Sequence, residues 1–106
     1  MEETVLNKKP SELIVERIKP QFKQIAGREY WISVVYFQPE NGYNFFFYIK
    51  RRGTYMRSIP LVRLPDSDLN ELVNILKKVR KTYQFSFRYV NLTRQEKRIL
   101  YEEVER

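Results

Sequence analysis

The steadiest apolar alternation in the chain runs through Tyr43-Asn-Phe-Phe-Phe-Tyr-Ile-Lys50. One parity (Tyr43, Phe45, Phe47, Ile49) is apolar throughout, and the other (Asn44, Phe46, Tyr48, Lys50) is mixed. Successive side chains of a strand point to opposite faces, so this segment reads as a strand over residues 43–51 with one core face. Residues 28–38 alternate in the same way and form a strand before it, separated by the turn signal Pro39-Glu40-Asn41-Gly42. A tight turn at Arg52-Gly53 leads into a third strand over 54–64, where Pro60 cannot donate to a ladder and marks an edge or a bulge. Residues 67–83 carry Leu69, Leu72, Val73, Leu76, Val79 and Tyr83 at helical spacing, with Asp66 and Asp68 at the start and Lys77, Lys78, Arg80 and Lys81 toward the end. Residues 84–90 alternate again, as a fourth strand or an extended arm, and Thr93-Arg-Gln-Glu96 is a capping box that opens a last helix through about residue 105. Residues 11–26 read as a helix capped by Ser11 and kinked or split at Pro20, with a strand over 12–18 as the alternative. Residues 1–9 read as a frayed polar terminus. The fold class expected is α+β: an antiparallel sheet of three or four strands, a packed amphipathic helix, and further helices at the N- and C-terminal ends. The 106 residues make one domain with its sheet-plus-helix core at 28–83.

The two parities of the sheet then separate structure from candidate chemistry. Tyr43, Phe45, Phe47 and Ile49 belong under the 67–83 helix. Phe46, Tyr48 and Lys50 face outward, joined by Trp31, Ser33 and Val35 of the first strand. Tyr55, Arg57, Ile59, Leu61 and Arg63 share one face of the third strand, with both cations outward. The candidate surface is therefore Trp31, Phe46, Tyr48, Lys50, Arg51, Arg52, Tyr55 and Arg57. Rings that stack bases beside cations that hold phosphates are what a single-strand platform needs. The competing reading covers this second face with the terminal helices or a dimer partner and makes its rings core.

Charge supports a polyanionic partner. The net charge is +7, and residues 28–64 hold +4 of it: Arg28, Lys50, Arg51, Arg52, Arg57 and Arg63 stand against Glu29 and Glu40. Each phosphate neutralised by such a cation releases counterions. The chain has no Cys, which excludes disulfides and thiolate chemistry, and no His, which excludes a His-based triad, metal site or general base. Asp66 and Asp68 serve better as helix caps than as a magnesium site, and the three glycines are isolated at turns, with no phosphate-cradling loop. No enzyme activity, cofactor or small-molecule substrate is expected. No apolar run reaches the length of a membrane span and no signal-peptide pattern opens the chain, so the expected compartment is the cytosol. The high Lys, Glu and Arg content without Cys is compatible with a thermophile.

The segment from Arg28 to about Tyr83 resembles the single-strand-binding domain of the coactivator family called positive cofactor four, and is similar to Pur repeats and ThermoDBP proteins. The resemblance is carried by the basic strand Phe45-Phe-Phe-Tyr-Ile-Lys-Arg51, by Ser58-Ile-Pro-Leu61, and by the helix with Leu69, Leu72, Leu76 and Val79. It implies a curved antiparallel sheet before one helix, pairing into homodimers, and single-stranded nucleic acid held by Tyr48, Lys50, Arg51 and Arg57. Three strands precede the helix here where that family has four; residues 12–18 or 84–90 are the candidates for the missing one.

The function expected from these readings is binding of single-stranded DNA or RNA with little sequence specificity. The rival is a protein-interaction module, such as a small viral or host regulatory factor, with the aromatic face as its dimer or partner interface. A duplex binder inserting a β-ribbon into a groove is a third possibility.

Overall fold

In the computed structural model, residues 9–22, 27–53 and 56–106 are described. Helix α1 (Pro10–Ile18) precedes three strands, β1 (Arg28–Phe37), β2 (Gly42–Arg51) and β3 (Met56–Leu64). Helix α2 (Leu69–Thr82) leads to β4 (Ser86–Val90) and then to α3 (Arg94–Leu100), which continues as a π-helical turn over Tyr101–Glu105. The fold is α+β. Its four strands lie in the order β3-β2-β1-β4.

The sheet is mixed, where an antiparallel one was expected. β1, β2 and β3 pair antiparallel, and β4 pairs parallel to β1. The cause is the connection. A hairpin reverses the chain, but α2 carries it from the end of β3 back along the sheet, so β4 starts at the same end as β1. The fourth strand thus comes from residues 86–90, and residues 10–18 form a helix.

α1 begins one residue earlier than expected. Lys9 is the N-cap, Pro10 takes the first helical position, and the Lys9 N–H donates to Glu12 Oε1 at 3.0 Å. Ser11 is inside the helix and buried, so it is not the cap. Pro at the first position fits because that N–H would have no partner anyway. The helix ends at Ile18, ahead of Pro20, and residues 23–26 of the longer expected helix lie outside the described residues. α2 follows its sequence signals closely. The Asp68 carboxylate accepts from the Glu71 N–H at 2.9 Å, and Leu72, Val73, Leu76 and Val79 form the buried stripe. In α3 the capping box forms, with the Thr93 N–H on Glu96 Oε1 at 2.8 Å and the Glu96 N–H on Thr93 Oγ1 at 3.1 Å.

The described helices contribute to one core. Ile14 and Ile18 of α1 and Leu72, Leu76 and Val79 of α2 meet Ile32, Val34, Phe45, Phe47 and Leu61 of the sheet, and Leu100 and Val104 close the C-terminal end. Full burial of one such side chain is worth about 1.5–3 kcal/mol in transfer free energy. Every β2 residue in this cluster has the odd parity expected from the sequence, and neither Trp31 nor Phe46 belongs to it.

Two local features set the shape of the sheet. Gly42 lies against the β3–α2 connection, where an added Cβ would fall 1.9 Å from the Leu64 carbonyl oxygen. Only a residue without Cβ admits this approach, which lets the Asp66 N–H reach the Glu40 carbonyl at 2.9 Å and the Ser67 N–H reach the Asn41 carbonyl at 3.1 Å. The second feature is a bulge. Phe45 pairs with Val62 and Phe46 with Pro60, so Leu61 is an extra residue on the edge strand β3. Leu61 points into the core, and the Arg17 guanidinium of α1 donates to its carbonyl.

Candidate nucleic-acid interface

The sheet face opposite the core carries Asn44, Phe46, Tyr48 and Lys50 from β2 and Glu29, Trp31, Ser33, Val35 and Phe37 from β1, because cross-strand partners share a face. From β3 it takes Met56, Ser58, Pro60 and Arg63, and from β4 Ser86, Arg88 and Val90. No described helix places a residue of its buried stripe against this face.

At the centre of the face, three strands contribute to one stack. The Trp31 and Tyr48 rings lie 5.1 Å apart between centroids and are parallel within 3°. The Arg88 guanidinium carbon sits 3.8 Å from the Trp31 ring centroid. Ser33 and Ser86, the residues paired with Arg88 and Trp31 across β1 and β4, are small and leave room for both large side chains. The consequence for the site is direct. Trp31 lies on the expected face but is only 4% exposed, because Tyr48 and Arg88 cover it. Trp31 is therefore a foundation for Tyr48 and Arg88 and presents no open ring. Phe46 and Tyr48 are half-buried.

The cations named from the sequence divide between two faces. Lys50 is exposed on the outer face, opposite Glu29. Arg51 pairs with Arg28, and Arg57 with Ile49, which puts both on the helix-side parity. Arg57 was expected on the outer face together with Arg63. The bulge at Leu61 breaks the alternation between them, so Arg63 alone faces outward, opposite Asn44. Arg52 belongs to the turn that follows β2 and donates its N–H to the Gly27 carbonyl at 3.1 Å. Tyr55 lies outside the described residues.

Charge is segregated along the strands rather than across the face. The end where β1 starts and β2 finishes gathers Arg28, Lys50, Arg51 and Arg52, with Arg57 near the start of β3 and Glu29 as the acid within these strands. An open pocket of about 370 Å³ lies there, lined by Gly27, Arg28, Glu29, Lys50, Arg52 and Gly53. The C-terminus of α2 comes to the same end: Phe22 contacts both Tyr30 and Tyr83, at 4.8 and 5.7 Å. The opposite end holds Glu40, Asp66, Asp68 and Glu71, and Glu40 pairs with Arg63. On the outer face Arg88 approaches Glu29 at 3.8 Å, so part of the central charge is balanced locally.

Arg88 is the residue that the sequence reading left out. Its signal was present: it has the parity opposite to Phe87 and Tyr89 in an alternating run, which in a paired strand is the outer face. Tyr89 itself points to the core side, and burial and then its 2.8 Å hydrogen bond to Glu105 push its phenol well above the ordinary tyrosine range. Among the described residues no group of three or more acids could hold a metal ion, and no described helix is long and apolar enough to cross a membrane. Comparison with protein-family models, with curated proteins and with solved structures found no match to the chain.

Proposed function

We propose that this domain is a non-enzymatic binder of single-stranded nucleic acid, which lies on the outer sheet face with its backbone drawn toward the basic end. The observation that carries this reading is the adjacency of a sheet face on which no described helix packs its buried stripe, bearing Phe46 and Tyr48, to the cluster Arg28, Lys50, Arg51 and Arg52. Base stacking on an aromatic contributes about 1–3 kcal/mol per base and tolerates any sequence. Trp31 has the role of holding Tyr48 flat, and Arg88 replaces it as a group that a strand would touch. The cations supply the salt-dependent part of the affinity. A fluorescent oligonucleotide titrated at two salt concentrations tests the proposal. Binding that weakens steeply with salt supports it, and absence of binding to DNA and RNA at low salt removes it.

A second reading has its own observation. Phe37 and Val90, 38% and 42% exposed, sit on the outer face at its far end beside the half-buried Val35. This small apolar corner suits a protein contact, including a second copy of the chain in a homodimer. Sedimentation of the free protein separates the two, since a dimer that buries the outer face would compete with oligonucleotide.

A further inference from the structure

We infer that the bulge in β3 forms a slot for one nucleobase of the bound strand, with a preference for adenine. This rests on the single-strand reading above and adds base selection to it. The slot has a volume of about 290 Å³ and lies at the bulged edge of the sheet, where Asn44, Phe46, Pro60 and Arg63 of the outer parity meet Phe45, Leu61 and Val62 of the core parity and Arg17 of α1.

The opening is a product of the local sequence. Pro60 has no N–H to offer the ladder, and Leu61 is the additional residue that turns into the core. The Leu61 carbonyl does not go unpaired, because Arg17 donates to it. The edge strand is thus held apart from regular pairing by a bond that satisfies its displaced acceptor.

The walls and the polar group match a base. Phe46 and Pro60 are cross-strand partners and offer apolar surfaces on which a planar ring can lie. Asn44, two residues from Phe46 on the same face, brings an amide with a donor and an acceptor side by side. Among the described residues no hydrogen bond to a side chain or backbone group engages that amide. Its donor–acceptor pair complements the amino group and ring nitrogen of adenine. An aliphatic side chain in the slot would leave the amide without a partner. Arg63 pairs with Asn44 across the strands and its side chain is 66% exposed. Its surface ion pair with Glu40 is of the weak kind that a phosphate can displace.

The experiment compares oligoadenylate and oligothymidylate of equal length at one salt concentration by fluorescence anisotropy, with the wild-type chain, Asn44→Ala and Asn44→Asp. The expected result is on the order of tenfold tighter binding to oligoadenylate by the wild type. Both variants should lose that preference. Asn44→Ala, which changes no charge, should keep the wild-type salt dependence, whereas Asn44→Asp sets a carboxylate opposite Arg63 and should bind both oligonucleotides more weakly. Equal affinities in the wild type, or a preference that survives in both variants, overturn the slot and leave the single-strand reading standing. Absence of binding to either oligonucleotide at low salt overturns both.

Discussion

The Arg88 guanidinium packs on the Trp31 ring at 3.8 Å, joining the last strand of the sheet to the first. Cation–π pairs contribute about 0.5–1 kcal/mol at exposed sites and about 2 kcal/mol or more when desolvated. Arg88 keeps a side-chain exposure of 54%, so its contribution belongs near the lower figure. Arg88→Ala should destabilise the domain by about 0.5–1 kcal/mol and shift the emission of Trp31, the chain's single tryptophan, to the red. Denaturant unfolding followed by tryptophan fluorescence reads both. An unchanged emission maximum would mean that Arg88 does not shield the indole.

Removing the Arg17 guanidinium should weaken the edge strand. A hydrogen bond from a charged donor contributes about 1.5–3 kcal/mol, and the Leu61 carbonyl would lose its Arg17 donor. Arg17→Met keeps an unbranched apolar stem and removes only the charged donor. Hydrogen exchange should then accelerate in β3 ahead of β1 and β2, and uniform protection across the three strands would contradict this account.

Gly42→Ala should be among the most damaging single changes outside the core. Its Cβ would overlap the Leu64 carbonyl oxygen at 1.9 Å, and the atoms it would meet are all backbone. Overpacking of this kind costs about 1–3 kcal/mol, occasionally more. Thermal melting monitored by circular dichroism measures the loss, and a melting temperature equal to the wild type would show that the two connections can separate freely.

Stability should fall as the pH rises above 10, and Tyr89 should account for part of the fall. Burial, followed by the hydrogen bond to Glu105, raises its phenol pKa above the unfolded value near 10. Below pH 10 the phenol is neutral in both states and its full contribution is present. Above pH 10 the unfolded chain releases the proton while the folded chain retains it, so unfolding gains. A complete difference of one proton would give a slope of about 1.4 kcal/mol per pH unit, and solvent around the partly exposed hydroxyl reduces it. Tyr89→Phe should flatten the alkaline limb relative to wild type. Parallel limbs in the two proteins would exclude Tyr89 as the source.

If nucleic acid follows the charge, cations at the basic end should matter more than those along α2. Replacing Arg28, Lys50 and Arg52 together with Gln should lower oligonucleotide affinity and reduce the slope of log affinity against log salt by about 0.7 per lost contact on a single strand. Replacing Lys77 and Lys78, exposed on α2, should change neither. Equal effects from the two sets would show that only total charge counts.

The strand boundaries, the core parity of β2, the capping of α2 and the box at Thr93 were legible because each depends on residues close in sequence. The position of Arg57 was not. Its face depends on counting alternation through Pro60, and the proline announces an irregular strand without saying where the extra residue falls. The burial of Trp31 was hidden for a different reason. Its cover comes partly from Arg88, on a strand that reaches β1 only after α2 has crossed the sheet. The separation of the cations was half legible, since the parity of residues 43–51 already distinguished Lys50 from Arg51.

The irregularity of β3 also bears on how the molecule avoids its own kind. An edge strand is a template on which another chain can add a strand of its own. Here one margin of the sheet carries a proline and a bulge whose carbonyl is already occupied by Arg17, and the other is β4, only five residues long. Neither margin offers a long, straight row of free backbone groups. Extension of the sheet from molecule to molecule, the usual route from an exposed edge to a fibril, is thereby disfavoured at both sides.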